Sequence, residues 1–129
     1  MPEPTLKSVH LQISVTGDGV DSDSTVDFKL LLDNSATAAS YHLASTHVGD
    51  HDDFQRDLTV FLNLPKSHVN QCTFYLEINA NGHDHFQGNI NLTFGFSDGS
   101  NCGFAYGSFG IGTYHESNST RKQVTMVCP

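Results

Sequence analysis

Much of the chain alternates between apolar and polar residues in short runs, the pattern produced by strands with one buried face. Ser8–Thr16 alternates without a break, and Thr25–Leu32 and Cys72–Ala80 follow the same period of two. Gly88–Phe96 repeats this period with larger side chains. Most residues between these runs are Gly, Asn, Asp, Ser or Pro, which favour turns. The four runs therefore predict half-buried strands.

The other runs are less regular. Ala36–Ala39 favours a brief helical turn. Pro65 closes the fourth predicted strand, since proline cannot donate to a ladder. The Gly-interrupted stretch 102–114 predicts two weaker strands, Cys102–Tyr106 and Phe109–Tyr114, or one bent strand with a bulge. The remaining strands are predicted at Ser40–Thr46, Asp57–Leu64 and Arg121–Cys128.

No segment keeps the helical period of 3.6 residues beyond a single turn. Eight or so short strands at regular spacing, almost without helix, are typical of antiparallel all-β folds. At 129 residues the chain is long enough to bury a core. We therefore predict one domain over residues 1–129, an antiparallel β-sandwich, with a small closed β-barrel as the alternative.

The charge balance narrows the choice of partners, because 14 Asp and Glu face only six Lys and Arg, a net charge of -8. Most of the acids are Asp, which favours turns, helix caps and metal-binding loops over helical surfaces. A surface of this charge repels phosphate backbones, which argues against nucleic acid as a partner. It would also be repelled by anionic lipid unless a cation intervened.

The sequence contains few features that indicate membrane insertion, secretion or glycosylation. No apolar run reaches the roughly 18–20 residues that a membrane helix needs, and the start of the chain lacks the apolar core of a signal peptide. We expect either a cytoplasmic protein or the mature form of a secreted one. Residues 91–93 and 118–120 match the Asn-X-Thr/Ser acceptor pattern of N-glycosylation, a pattern short enough to arise often by chance.

Strand direction brings several polar loops together. If consecutive strands reverse direction, the loops after the first, third and fifth strands lie at the same end of the fold. These loops are residues 17–24, 47–56 and 81–87. They carry seven aspartates: Asp18, Asp21, Asp23, Asp50, Asp52, Asp53 and Asp84. They also carry four histidines: His47, His51, His83 and His85.

Seven carboxylates at one end repel one another unless a positive charge neutralises them. Calcium is the simplest candidate, because it takes about six to eight oxygen ligands in flexible loops, and the seven aspartates are its predicted ligands. Zinc is the alternative, since the four histidines, with Asp84, could bind a metal that prefers imidazole. A third possibility leaves this end without metal, its Asp and Asn residues serving as turn formers.

Several side chains beside these loops could contact a ligand. Phe54 and Phe86 follow the two clusters of His and Asp, where they could either anchor the loops from below or stack on a ligand. Asn81 is a further candidate contact. We expect Arg56 to pair with a neighbouring Asp, and His10, on the polar face of the first strand, to be solvated.

Three cysteines do not complete a disulfide framework. Cys72, Cys102 and Cys128 allow either one pair with a free thiol or three reduced thiols. The Cys-X-X-Cys spacing of zinc ribbons is absent. Because Cys72 and Cys102 lie at or near strand starts, we expect both to be buried thiols.

The run LQISVTGDGVDSDSTVDFKLLL, Leu11–Leu32, resembles the opening of PLAT (lipoxygenase homology) domains, in which a strand, a Thr-Gly-Asp turn and an acidic loop precede a second strand. Residues 46–57 and 82–100 fit later parts of such domains loosely, with Phe86 near the place of the family's common Trp. The resemblance implies an eight-stranded PLAT- or C2-like sandwich, loop-bound calcium, and docking to membrane, lipid or protein. It implies these first calcium ligands: Thr16, Asp18, Asp21 and Asp23, with Asp50 and Asp84 opposite.

The sequence favours binding over catalysis. It lacks the nucleophile motif Gly-X-Ser-X-Gly and the zinc motif His-Glu-X-X-His. We predict a non-enzymatic, calcium-dependent binding module whose acidic end docks to a membrane, lipid or protein surface. The alternatives are a lectin that uses the same loops, and a transition-metal protein or hydrolase built on the histidines. An exposed edge strand could also support a homo-oligomer.

Overall fold

The structure, a computed structural model, describes residues 3–15, 25–33, 35–44, 53–79, 86–111 and 117–128. These residues contain eight strands and one short 3-10 helix. The strands are β1 Leu6–Val15, β2 Thr25–Leu32, β3 Ala36–Ala44, β4 Asp53–Val60, β5 Cys72–Asn79, β6 Phe86–Phe96, β7 Asn101–Ile111 and β8 Ser117–Gln123. The 3-10 helix spans Lys66–Gln71. No helix in the described ranges is long and apolar enough to cross a membrane.

All eight strands belong to one antiparallel sheet in the order β7-β6-β1-β4-β3-β2-β5-β8. The sheet curls until its two edge strands, β7 and β8, lie near each other, so it is nearly closed and barrel-like. The prediction of an all-β antiparallel fold with about eight strands is therefore confirmed.

The pairing between β3 and β4 is the shortest between neighbouring strands of the described sheet. Two residue pairs join these strands, Ala39 with Val60 and Ser40 with Thr59. By contrast, β4 pairs with β1 from Val9 to Ser14. The sheet therefore consists of two four-stranded halves, β7-β6-β1-β4 and β3-β2-β5-β8, connected by a short ladder.

The seam between the edge strands is held by the segment that follows β8. Gly103 and Val127 exchange two backbone hydrogen bonds, of 2.8 and 2.7 Å. Next to them, Cys102 and Cys128 form a disulfide. The same segment is anchored to the 3-10 helix, where the Met126 backbone N–H donates to the side-chain oxygen of Asn70 over 2.8 Å. A covalent bond thus ties β7 to the end of the chain.

The core lies inside the curled sheet and follows the predicted alternation. Phe28, Phe74 and Phe94 are the largest side chains that are fully buried. Aliphatic residues of β1 and β5 belong to the same buried cluster. Burial of this apolar surface, at roughly 25 cal/mol per Å², is the main force that holds the sheet closed. Leu6, Leu11, Ile13, Leu30, Leu43, Leu76, Ile78 and Ile90 complete the set of largest buried side chains.

Four predictions about local structure need correction. Residues 36–39 belong to β3, because their pairing with β2 outweighs the helical preference of alanine. The fourth strand begins at Asp53 and ends at Val60, since its polar first half pairs with β1. The last strand is Ser117–Gln123, earlier than predicted. Cys102 is buried but disulfide-bonded, whereas Cys72 is the buried free thiol that we expected.

Of the two alternatives for residues 102–114, the structure shows the single strand as far as Ile111. It is a single strand, β7, whose register against β6 shifts between Ile90 and Asn91. Residues 112–114 lie outside the described part.

Candidate functional site

Four connecting segments of the chain begin and end at strand ends that lie along one rim of the sheet. Because every neighbouring pair of strands is antiparallel, strand direction alternates along the chain. The register places the strand ends side by side at this end, for example Val15 with Gly88, and Thr25 with Asn79. We call it the loop end; its rim consists of Val15, Thr25, Ala44, Asp53, Asn79, Phe86, Ile111 and Ser117.

The alternation on which the loop prediction depends is thus present in the described strands. The segments 16–24, 45–52, 80–85 and 112–116 connect strand ends that lie on this rim. Most predicted site residues fall in these segments and lie outside the described residues: Asp18, Asp21, Asp23, Asp50, Asp52, Asp84, His47, His51, His83, His85 and Asn81.

Three predicted site residues fall within described strands. Asp53 is the first residue of β4 and is exposed. Phe54 is half-buried and packs against the core. Phe86 begins β6 and pairs with Ile111 of β7. In the described ranges no three His, Cys, Asp or Glu residues lie close enough together to hold a metal ion, so the calcium and zinc sets stay predictions.

Arg56 occupies an unusual place for a charged residue. It shares the inward face of β4 with Phe54 and Leu58. Its register partner on β1 is the fully buried Leu11. Its side chain is half-buried at the level where the β3–β4 ladder has already stopped. A positive charge therefore lies in the opening between the two halves of the sheet, close to the loop end.

Three contacts hold the Arg56 side chain. Its Nε donates a hydrogen bond of 3.1 Å to the hydroxyl of Tyr41 on β3. Its Nη1 donates to the backbone oxygen of Gln55 over 2.7 Å, and the guanidinium lies 5.4 Å from the centre of the Phe54 ring. The expected ion pair is not formed with Asp53 or Asp57, the neighbouring acids that the structure describes. The guanidinium keeps donors that could neutralise a carboxylate.

His10, on the outer face, forms hydrogen bonds through both of its ring nitrogens. Its Nδ1 lies 2.7 Å from Asp57 Oδ1, and its Nε2 lies 2.8 Å from Gln55 Oε1. These two hydrogen bonds raise the pKa of His10, the Asp57 bond contributing most. Carboxylate and amide oxygens accept hydrogen bonds, so both partners favour the protonated form of the ring. The expectation of a merely solvated His10 was therefore wrong.

A second pair of the same kind lies on the other half of the sheet. His42 of β3 is the register partner of Asp27 of β2, and its Nδ1 is hydrogen-bonded to the Asp27 carboxylate. Such cross-strand pairs typically stabilise a sheet by about 0.2–1 kcal/mol. Both pairs tie neighbouring strands together on the outer face, which is a structural role.

A groove of about 340 Å³ on the outer face of β6 and β7 was not predicted from the sequence. It forms where Gly103 has no side chain and where the segment after β8 adds Val127 as a further wall. The sequence gives little indication of this groove, because Val127 reaches it only when the segment after β8 pairs with Gly103. It is lined by Asn91, Leu92, Thr93, Gly103, Phe104, Ala105 and Val127.

Together these features define an all-β protein with a nearly closed sheet and a rim that carries four connecting segments. Comparison of the chain with models of known protein families gave no match. Comparison with curated protein sequences gave no significant match either.

Proposed function

We propose that the chain is a non-enzymatic, calcium-dependent binding module whose loop end docks to a membrane, lipid or protein surface. The observation that carries the proposal is the alternating direction of the strands, which attaches all the Asp-rich segments to one rim. Carboxylates gathered there would repel one another, and a hard cation that accepts oxygen ligands relieves the repulsion.

We further propose that the fold is a sandwich of the PLAT or C2 kind. The sheet divides into two four-stranded halves that are joined by two residue pairs on one side and by the seam on the other. In our proposal the two halves pack face to face as an eight-stranded sandwich around the aromatic core. Its loops at one end then form the docking surface.

The disulfide between Cys102 and Cys128 is relevant to the metal. Disulfides persist in oxidising compartments such as the secretory pathway and the cell exterior. Extracellular calcium sites bind with dissociation constants of roughly 10⁻⁴–10⁻³ M, so loops without a rigid preformed cage are sufficient there. An extracellular setting therefore suits a site built from Asp, Gly and Asn.

Thermal unfolding in EDTA, in Ca²⁺ and in Zn²⁺ tests the metal. A ligand that binds only the native state at about a hundredfold excess over its dissociation constant adds roughly 2.7 kcal/mol of stability. We expect a rise of several degrees with Ca²⁺. A rise with Zn²⁺ in place of Ca²⁺ would transfer the site to the histidines, and no rise with either ion would refute the calcium site.

Matched variants assign the effect to the loop end. We expect Asp50→Ala and Asp84→Ala to lose most of the calcium-induced shift and to keep or raise the melting temperature in EDTA. Asp33→Asn and Asp98→Asn are controls from the opposite end. Asparagine removes the charge but tolerates the positive φ of Asp33, 53°, and it keeps an acceptor for the Ser100 N–H at Asp98. An equal loss in the controls would contradict the placement.

Pelleting with vesicles then tests the partner. We expect binding to vesicles that contain anionic phosphatidylserine in Ca²⁺ but not in EDTA. Binding to a glycan array without vesicle binding would favour the lectin. Failure on both, with the calcium shift intact, would leave a protein surface as the partner.

A further inference from the structure

We infer that Asn91 is an N-glycosylation site and that the innermost sugar of its glycan rests in the adjacent groove on the outer face of β6 and β7. The inference does not depend on calcium. Three features of the chain point to the site: an acceptor sequence, a disulfide and a groove.

The acceptor sequence is presented outward by a strand. Asn91 and Thr93 lie two positions apart on β6, so they share one face of the sheet. Both are exposed, whereas Ile90 and Leu92, on the opposite face, are buried. A glycan on Asn91 would thus project into solvent and leave the core undisturbed.

The reaction is a transfer from a lipid-linked donor. The side-chain nitrogen of Asn91 would form a bond to C1 of the first sugar of a polyprenyl-diphosphate-linked oligosaccharide. The bond between that carbon and the diphosphate oxygen breaks, the diphosphate leaves with the lipid, and the nitrogen loses one proton. Thr93 supplies the hydroxyl that completes the Asn-X-Thr acceptor pattern.

The disulfide indicates a compartment in which such a transfer takes place. Cys102 and Cys128 are joined, and disulfides of this kind form in the lumen of the secretory pathway and persist outside the cell. N-glycans on Asn-X-Ser/Thr are likewise a feature of secreted proteins. The disulfide and the acceptor pattern involve different residues, and both are typical of the same compartment.

The groove offers the first sugar a surface to lie on. Asn91 and Ala105 are register partners at one end of it, and Val127, 72% exposed, forms its far wall. The floor at Gly103 is open, because a Cβ atom built there would meet no atom closer than 3.9 Å. The apolar faces of a sugar ring can pack on Ala105 and Val127 and remove part of Val127 from water.

The second acceptor sequence differs in its surroundings. Thr120 is half-buried, and its hydroxyl lies 2.6 Å from the hydroxyl of Tyr106. In the folded chain this hydroxyl is therefore engaged across the seam, whereas that of Thr93 is exposed. This contrast makes residues 118–120 the natural comparison.

The test of the site is secretion of the full chain, behind a cleavable leader, from a human cell line. Peptide mass spectrometry before and after amidase deglycosylation would read the occupancy. We expect most molecules to carry a glycan at Asn91, a loss of that glycan in Thr93→Ala, and its retention in Thr120→Ala. Disulfide-bonded, secreted protein without a glycan at Asn91, or with glycan at Asn118 in its place, overturns the inference.

The test of the groove uses the same material trimmed by endoglycosidase to a single sugar. We expect this form to melt at least about 2 °C above the Asn91→Gln protein. In Gly103→Val, which fills the groove floor, the sugar should add nothing, although Asn91 stays occupied. An unchanged increment in Gly103→Val, or no increment in the parent, would show that the sugar does not use the groove.

Discussion

His10 shows how a single pair of residues makes the stability of this fold depend on pH. It lies on the outer face between Asp57 and Gln55, and both partners accept hydrogen bonds from the protonated ring. These bonds hold its pKa above the ordinary value of 6.5. Since the folded pKa is the higher one, the pair stabilises the fold fully below about pH 6.5. The contribution is lost as pH rises through the folded pKa.

We expect Asp57→Asn to reduce stability at pH 5.5 and to have much less effect at pH 8.5. The pair is well exposed, with 38% of the His10 side chain and 80% of the Asp57 side chain accessible, so the loss should be about 0.2–1 kcal/mol. Urea unfolding at the two pH values measures it, and an NMR titration should show the His10 pKa fall.

The background His10→Gln is the control for this prediction. In this background Asp57→Asn removes no interaction with a protonated histidine at position 10, so its effect on stability should be the same at both pH values. A pH-dependent loss that persists in this background would assign the effect to another group.

β1 and β6 approach each other so closely at Gly88 that a side chain does not fit there. A Cβ atom at Gly88 would lie 2.5 Å from the backbone oxygen of Ser14 and 3.2 Å from the Cα of Val15. Backbone atoms cannot rotate away, so Gly88→Ala should force the two strands apart beside the loop end. We expect a loss of about 1–3 kcal/mol, the usual cost of overpacking, measured by urea unfolding.

Gly103→Ala is the matched control, because the nearest atoms to its Cβ would be 3.9 Å away. It should be neutral, or should stabilise by about 0.4–1 kcal/mol, since alanine restricts the unfolded chain. Equal losses at both glycines would mean that strand glycines matter here for a reason other than contact with β1.

How far the sequence predicts an element depends on how regularly large apolar residues alternate along it. The bounds of β2 were predicted to the residue, and β1, β5 and β6 were also recognised, because their buried faces alternate with large apolar residues. β8 was misplaced, since an edge strand of sequence SNSTRKQ carries no apolar period. The helical turn at Ala36–Ala39 failed because alanine gives little sign of the strand that it will pair with.

The candidate site was predictable in its placement but not in its contacts. Alternating strand direction follows from short connections, so the shared rim could be inferred without coordinates. The position of Arg56 could not be, because it depends on where the β3–β4 ladder stops. Likewise, the partnership of Cys102 with Cys128 depends on closure of the sheet, which brings residues 26 positions apart together.

At the scale of the whole molecule, the disulfide limits how far the sheet can open. Replacing Cys102 and Cys128 with Ser should cost about 3.5 kcal/mol, from the chain entropy of a loop of 26 residues. Urea unfolding of the oxidised parent and of the double variant measures the difference. Cys72→Ala, which leaves the disulfide intact, is the control, and its loss should reflect only the small cavity left in the core.

Thiol counting verifies the premise of this prediction. Burial raises the pKa of Cys72 to about 11, so at pH 8 the native protein should react with no equivalent of iodoacetamide. After denaturation one thiol should react, and after denaturation with reduction all three. Rapid labelling of two thiols in the native protein would contradict the closed seam.

The two joints between the halves of the sheet also differ in mechanical strength. One is cross-linked through Cys102 and Cys128. The other consists of two residue pairs, two backbone hydrogen bonds from Phe61 and Leu62 to the Ala38 oxygen, and the hydrogen bond from Arg56 to Tyr41. We expect the cross-linked joint to act as the hinge when thermal motion parts the halves, because the joint without a covalent bond should widen first. Such an opening would expose Arg56 in the wall of the sheet, beside the rim, and admit water to the core from that side.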